Sequence, residues 1–440
     1  MYIRAIELTD LRAFRKGRLE FLYPGRKLET DPFSDKARVN LTDPQHDNMN
    51  IVLGVNGSGK STVLDAIALA LLSPIPQNGF GPNALIRRSN RDVPVCAKVK
   101  LDLVLHPSDS AAGKVTESWI DHLECTVLRQ GDYEFLKGPA TGDARFAELF
   151  VDRSPAFTLL GYGVFRRAEA LNKSETIASR QKRRSARYDR VVTLFEDDVP
   201  LISLSSWFLS IPKGARRDEI VALINKATPK TVKFEGKIGT EGEMLFRYRN
   251  LELPFSALSD GYRGHLGWIG DMLSRIHDVA PPKMDLKDVP GVVLVDEIDA
   301  HLHPAWQQEI IGALSKAFPA IQFIFTTHSP LITGVLERAN INVVSRRGSN
   351  PPVVTPPEIE MYGLSADQIL TTDLFGLKST RDAKFANELR SLQNKAVHGG
   401  ADVAIEYMRK AAIGRAADYA QPAEAVEVPD WLGEMLQESK

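Results

Sequence analysis

Three short stretches, far apart in a chain of 440 residues, carry residue types whose spacing suits phosphate chemistry. The first is Gly54-Val55-Asn56-Gly57-Ser58-Gly59-Lys60-Ser61, which matches the phosphate-loop spacing G-x-x-x-x-G-K-[ST]. Glycines there let consecutive backbone N–H groups curl around phosphate oxygens, and a helix starting near Lys60 points about half a positive charge at them. Lys60 adds a full charge for β- and γ-phosphates and Ser61 a hydroxyl ligand for Mg2+, while Asn56, Gly57, Ser58, Gly59 and Thr62 make up the remaining expected nucleotide contacts. The second stretch is the pair Asp296-Glu297, which ends the apolar run 292–295 and brings two carboxylates to one strand end. There Asp296 would hold the metal through water and Glu297 would take a proton from the attacking water. His328 ends the next apolar run, suited to a γ-phosphate or to that water; a lone histidine at a strand end is more often structural, but the loop and carboxylates upstream favour function. The third stretch, Leu258-Ser259-Asp260-Gly261, opens an apolar helical segment, where Ser259 could equally serve as a simple N-cap.

The elements that must position these residues are legible in the hydrophobic patterning. Alternation predicts two short strands before residue 25, and the run ending at Gly54 predicts a buried strand feeding the loop. Residues 61–72 are apolar nearly all round, as in a helix packed beneath a sheet. Residues 97–106, 119–129 and 133–137 read as an antiparallel set, with 156–163 as a further strand of that region. A mostly helical middle portion follows, with a helix expected from Arg216 to Ala227, and then a hairpin at 231–250. From residue 257 a helix, a buried strand, a helix and a buried strand alternate, the pattern of a parallel α/β sheet.

Composition narrows the classes. At 43% hydrophobic and 25% charged, the chain reads as globular, with no apolar run of membrane-spanning length and no greasy N-terminal segment, so a cytoplasmic location is expected. Two cysteines, Cys96 and Cys125, are too few for a disulfide framework and are expected to pack in the core. The net charge of −1 conceals a basic stretch from Arg166 to Arg190, a candidate contact for nucleic acid or else a solvated loop. The last twenty residues are acidic and carry Trp431 and Leu432, a candidate for folding onto a partner groove.

Leu258-Ser259-Asp260-Gly261 resembles the signature motif of ATP-binding-cassette ATPases, with Asp260 in place of the usual first glycine. That resemblance implies an α/β fold: a P-loop ABC-type ATPase head with an antiparallel β-subdomain and an inserted helical subdomain, here with a C-terminal helical extension. It further implies ATP as substrate and a homodimer or higher oligomer in which Ser259 and Gly261 complete the nucleotide site of the opposite subunit. Nearly two hundred residues separate Lys60 from Ser259, too many for a transporter cassette, and the long heptad arms of chromosome-type ATPases are missing. The stretches 296–304 and 323–332, reading Asp-Glu-Ile-Asp-Ala-His-Leu-His-Pro and Phe-Ile-Phe-Thr-Thr-His-Ser-Pro-Leu-Ile, resemble the RecF/OLD-like branch, and most of all the ATPase subunit of Septu-type antiphage systems, which work with a separate nuclease. A RecF-like repair ATPase acting on DNA is the alternative. After His328 there is no Asp-x-Asp pair and no Cys/His cluster, so no nuclease activity of the chain itself is expected. Four segments are expected: 1–165, the lobe with the phosphate loop and β-subdomain; 166–230, the basic helical insertion; 231–345, the second ATPase lobe; and 346–440, the extension and tail. Arg12 resembles an N-terminal arginine that touches nucleotide in repair-type relatives, and Tyr162-Gly163 and Arg166 occupy the place where other cassettes carry a glutamine, with a nucleotide contact and a packing role equally open for Arg166.

Overall fold

The apolar runs around the phosphate loop, the Asp-Glu pair and His328 assemble into one sheet because each is too hydrophobic to leave either face in water. In the computed structural model, which describes residues 1–28, 41–72, 85–88, 94–106, 120–131, 133–138, 158–166, 186–346, 348, 350–398 and 401–412, this sheet has six strands. They are β3 (Met49–Leu53), β7 (Leu159–Tyr162), β11 (Gly291–Val295), β12 (Ile321–Thr327), β13 (Ile341–Ser345) and β14 (Val353–Thr355), in the order β14-β13-β3-β12-β11-β7. All neighbours are parallel except the β13–β14 pair. Side chains alternate between two cores: Val293 and Val295 of β11 enter one, Val292 and Leu294 the other.

The second of these cores is closed by the helix α1 (Lys60–Leu72) and by a five-stranded antiparallel sheet of β1 (Tyr2–Leu11), β2 (Phe14–Glu20), β4 (Cys96–Val104), β5 (Ile120–Gln130) and β6 (Tyr133–Lys137). Every residue of α1 except Ser61 is buried, which explains why its sequence has no polar stripe. The first core is closed by helices following a short turn α2 (Ala186–Asp189): α3 (Leu204–Ser210), α4 (Ala215–Ala227), α5 (Asp260–Val279) and α6 (Pro304–Ala317). A small antiparallel sheet, β8 (Val232–Ile238), β9 (Met244–Tyr248) and β10 (Leu251–Pro254), packs beside them.

Several expectations need correction. The strand at 156–163 does not join the antiparallel set: β7 is the edge of the parallel sheet, paired with β11, and all four of its residues are buried. Its short apolar run fits both surroundings, so local pattern could not separate them. The chain divides into two compact units between Phe375 and Gly376, and β14 with the short helices α7 (Pro330–Thr333) and α8 (Ala366–Leu370) lies in the first. Cys125 is a core residue as expected, whereas Cys96 is half-buried. The second unit, from Gly376 on, contains the helices α9 (Ala383–His398) and α10 (Ala401–Ala412), which pack against each other. Trp431 and Leu432 lie outside the described residues, as do Lys173, Arg180, Lys182, Arg183 and Arg184 of the basic stretch. Among the described residues no helix is long and apolar enough to cross a membrane.

Candidate active site

The phosphate loop leaves β3 and turns into α1 through two glycines in the left-handed region, Gly57 at φ +73° and Gly59 at φ +108°. Gly54 is required for a different reason, since a Cβ there would come within 2.4 Å of the Val344 carbonyl oxygen. Asn56, Gly57 and Ser61 are exposed, Thr62 is buried, and Ser58 is fully buried with an Oγ that has no hydrogen-bond partner among the described residues.

Lys60 is 7% exposed, and its Nζ donates to the Val55 carbonyl at 3.3 Å. It also lies 2.6 Å from Nε2 of His328, although 268 residues separate the two in sequence. Burial, and then the neighbouring Lys60, push the His328 pKa down, so its imidazole is neutral at pH 7 and Nε2 accepts from the ammonium. Burial also lowers the Lys60 pKa, with Asp296, Glu297 and Asp299 pulling it back up. Three of the predicted participants, the loop lysine, the carboxylate pair and the strand-end histidine, therefore meet at one edge of the sheet.

The carboxylate turn is held by hydroxyls from the neighbouring strand. Thr326 donates to Asp296 Oδ1 and accepts from the Glu297 backbone N–H at 2.8 Å, and Thr327 donates to Asp299 Oδ1 at 2.5 Å. Parallel pairing of β11 with β12, Val295 opposite Phe325, places these threonines beside the turn. Glu297 adopts φ +46°, a left-handed conformation that costs a residue with a side chain on the order of 1–2 kcal/mol, so those bonds hold it against its own preference. Sequence reasoning passed over Thr326, Thr327 and Asp299 as site residues; two threonines closing an Ile/Phe run were the available signal. Hard oxygen donors, the Ser61 hydroxyl and the Asp296 carboxylate, suit Mg2+.

Arg12 does not extend towards the loop unaccompanied. It pairs with Asp65 of α1 at 2.5 Å, and burial holds the Asp65 carboxyl up at about 6 despite that partner. Arg166 is resolved towards packing: both arms of its guanidinium bond backbone carbonyls of the Asp296-Glu297 turn. Together with the buried Arg187 it belongs to the head, so these two cations of the basic stretch are not surface charges for nucleic acid.

The signature residues begin α5. Ser259 occupies the N-cap position, yet its hydroxyl makes no capping bond, so the simple N-cap role does not explain it. Gly261 packs so closely on the loop after the carboxylates that a Cβ would lie 2.5 Å from the His301 carbonyl oxygen. Backbone cannot yield as a side chain tip can, so Gly261→Ala is expected to displace the 298–302 turn. The result should be slower nucleotide hydrolysis, measured by phosphate release; wild-type turnover would mean that the close approach is not used.

Comparison with known proteins gives two family matches. An AAA-domain family model matches residues 5–102, around the phosphate loop, and a second, described as "AAA domain, putative AbiEii toxin, Type IV TA system", matches residues 165–334, across the signature, the carboxylates and the histidine. The chain is similar to Septu protein PtuA of Bacillus mycoides (strain KBAB4), 28% identical over 382 residues, 86% of this chain and 45% of that protein. It is also similar to the Retron Ec83 probable ATPase of Escherichia coli, 41% identical over 99 residues, 22% of this chain and 18% of that protein. The chain spans less than half the length of these curated relatives. Among solved structures, the SMC head bound to the C-winged helix domain of ScpA aligns with a TM-score of 0.47 at 18% identity, covering 81% of this chain and 99% of that one. The SMC head domain from Thermotoga maritima aligns with a TM-score of 0.43 at 14% identity, over 82% of this chain and 100% of that one.

Proposed function

We propose that the chain is an ATP-hydrolysing subunit that dimerises around ATP and controls a separate nuclease in antiphage defence. The observation that carries the reading is the 2.6 Å approach of Lys60 to His328 beside Asp296 and Glu297, which gathers binding, acid–base and γ-phosphate-sensing groups at one strand edge. Backbone N–H groups of residues 56–62, apart from that of Ser58, which donates to the Val55 carbonyl, cradle the phosphates, and Lys60 exchanges its histidine partner for β- and γ-phosphate oxygens. Ser61 and Asp296 are the residues that would hold Mg2+, which neutralises phosphate charge when bound. Glu297 takes the proton of the attacking water, and His328, released by Lys60, donates to the γ-phosphate or orients that water.

Ser259 and Gly261 are assigned to the partner's nucleotide. An uncapped N-cap serine at the positive end of a 20-residue helix suits a γ-phosphate arriving from outside the subunit. The defence role and the nuclease partner are drawn from the likeness to Septu protein PtuA and the retron ATPase, and rest on that likeness. The basic residues of the 166–190 stretch other than Arg166 and Arg187 would add nucleic-acid contact by phosphate neutralisation.

Mixing subunits tests the shared site. Lys60→Ala and Ser259→Arg chains are each expected to be inactive, while their mixture forms heterodimers with one complete composite site and recovers a fraction of the wild-type rate. A mixture no more active than either variant counts against sites shared between subunits.

A further inference from the structure

β7 runs parallel to β11 with Tyr162 opposite Val295, so the chain leaving β7 passes beside the turn that follows β11. The strands are tied at that point by the Asp296 N–H, which donates to the Tyr162 carbonyl at 2.8 Å. Four residues later Arg166 closes the same corner. Its Nη1 donates to the Asp296 carbonyl at 2.7 Å and its Nη2 to the Glu297 carbonyl at 2.9 Å. A guanidinium presents two donors in one rigid plane, whereas an ammonium is a single point of charge on a flexible stem.

The two acceptors matter because they belong to the peptide planes on either side of the Glu297 Cα. Fixing both planes fixes φ and ψ of Glu297, and with them the direction of its Cα–Cβ bond. That residue sits at φ +46°, a conformation it would leave if the planes were free. Thr326 holds the same turn from the opposite strand through the Glu297 N–H. Asp296, Glu297 and Asp299 lie close enough to act on both Arg166 and Lys60, so two cations share this acidic cluster. Burial brings the Arg166 pKa down to about 10, which leaves it a cation at neutral pH.

We propose that Arg166 is a positioning residue for ATP hydrolysis: by gripping the carbonyl oxygens of Asp296 and Glu297 it holds the left-handed turn that aims the Glu297 carboxylate, and it affects turnover only through that carboxylate. This rests on the reading of Glu297 as general base. It also explains why an arginine stands where other cassettes carry a glutamine, since the task here is to hold two backbone oxygens.

Arg166→Ala and Arg166→Lys should be measured in the full-length chain, each with Glu297 intact and with Glu297→Gln, by single-turnover hydrolysis of labelled ATP, equilibrium ATP binding and thermal midpoint. With Glu297 intact, Arg166→Ala is expected to slow hydrolysis by roughly 10²-fold, the scale of a 1 Å misplacement of a catalytic group, and Arg166→Lys by less. ATP affinity should stay within about threefold, since nothing that binds phosphate is removed. In the Glu297→Gln background neither change should slow the residual rate further, because a misaimed amide and an aimed one are equally unable to take the proton. Wild-type turnover in Arg166→Ala overturns the proposal, as does an equal fold-loss in both backgrounds or a loss of ATP affinity that matches the loss of rate. Should Arg166→Ala fail to fold, the comparison is carried by Arg166→Lys. Wild-type turnover in Glu297→Gln alone would instead remove the general-base reading.

Discussion

Glu297→Gln is expected to keep ATP bound while slowing its hydrolysis by roughly 10²- to 10⁴-fold, the usual worth of a positioned general base. The exchange preserves shape and removes only the ability to take a proton. The turn should survive it, because the bonds that hold Glu297 go through its backbone: its N–H to Thr326 Oγ1 and its carbonyl to Arg166. The contrast with Lys60→Ala is informative. Losing the lysine removes the charge that meets the phosphates, so affinity should fall with rate, whereas Glu297→Gln separates the two. Equilibrium ATP binding alongside single-turnover phosphate release reads both quantities, and an undiminished rate in Glu297→Gln would assign the proton to another group.

Acid should destabilise the folded chain through His265, which lies inside α5 and is 3% exposed. Its Nε2 donates to the Ala227 carbonyl at 2.8 Å, leaving Nδ1 as a buried acceptor without a partner among the described residues, and the ring packs against Trp268 and Trp306. Burial, with a smaller push from Arg166 and some relief from the Ala227 bond, lowers its pKa from 6.5 to about 4. Between those values the unfolded chain takes up a proton that the folded chain refuses, so stability falls as pH drops from about 6.5 towards 4. A displacement of that size corresponds to about 3 kcal/mol. His265→Gln supplies a non-titrating amide of similar reach that can still donate to Ala227. Denaturant unfolding at pH 7.5, 5.5 and 4.5 should show a shallower acid loss in the variant than in the wild type, and parallel curves would clear His265 of the effect.

Glycines at fixed intervals followed by Lys-Ser, an apolar run closing on Asp-Glu, and another closing on Thr-Thr-His announce a phosphate loop and two strand-end sites from local sequence alone. This works because each signal reports a local requirement: a curled backbone at Gly57 and Gly59, burial of both strand faces in β11 and β12, and an all-round apolar α1 beneath a sheet. The sequence by itself therefore determined the curled glycine loop, the buried strands that end in these residues and the α/β class. Tertiary structure alone decided how they meet. That Lys60 touches His328 follows from β3 and β12 being neighbours in the sheet, a pairing chosen by the burial of faces supplied by residues more than two hundred positions apart. The short strand β7 looked alike for either sheet until the uncovered edge of β11 claimed it, and only that placement turned Arg166 towards the Asp296-Glu297 carbonyls. Gly261 likewise reads as a motif letter in sequence, while its necessity comes from the His301 carbonyl pressed against it. Local spacing encodes what a residue can do; strand order and close backbone approach, set by long-range packing, decide what it faces.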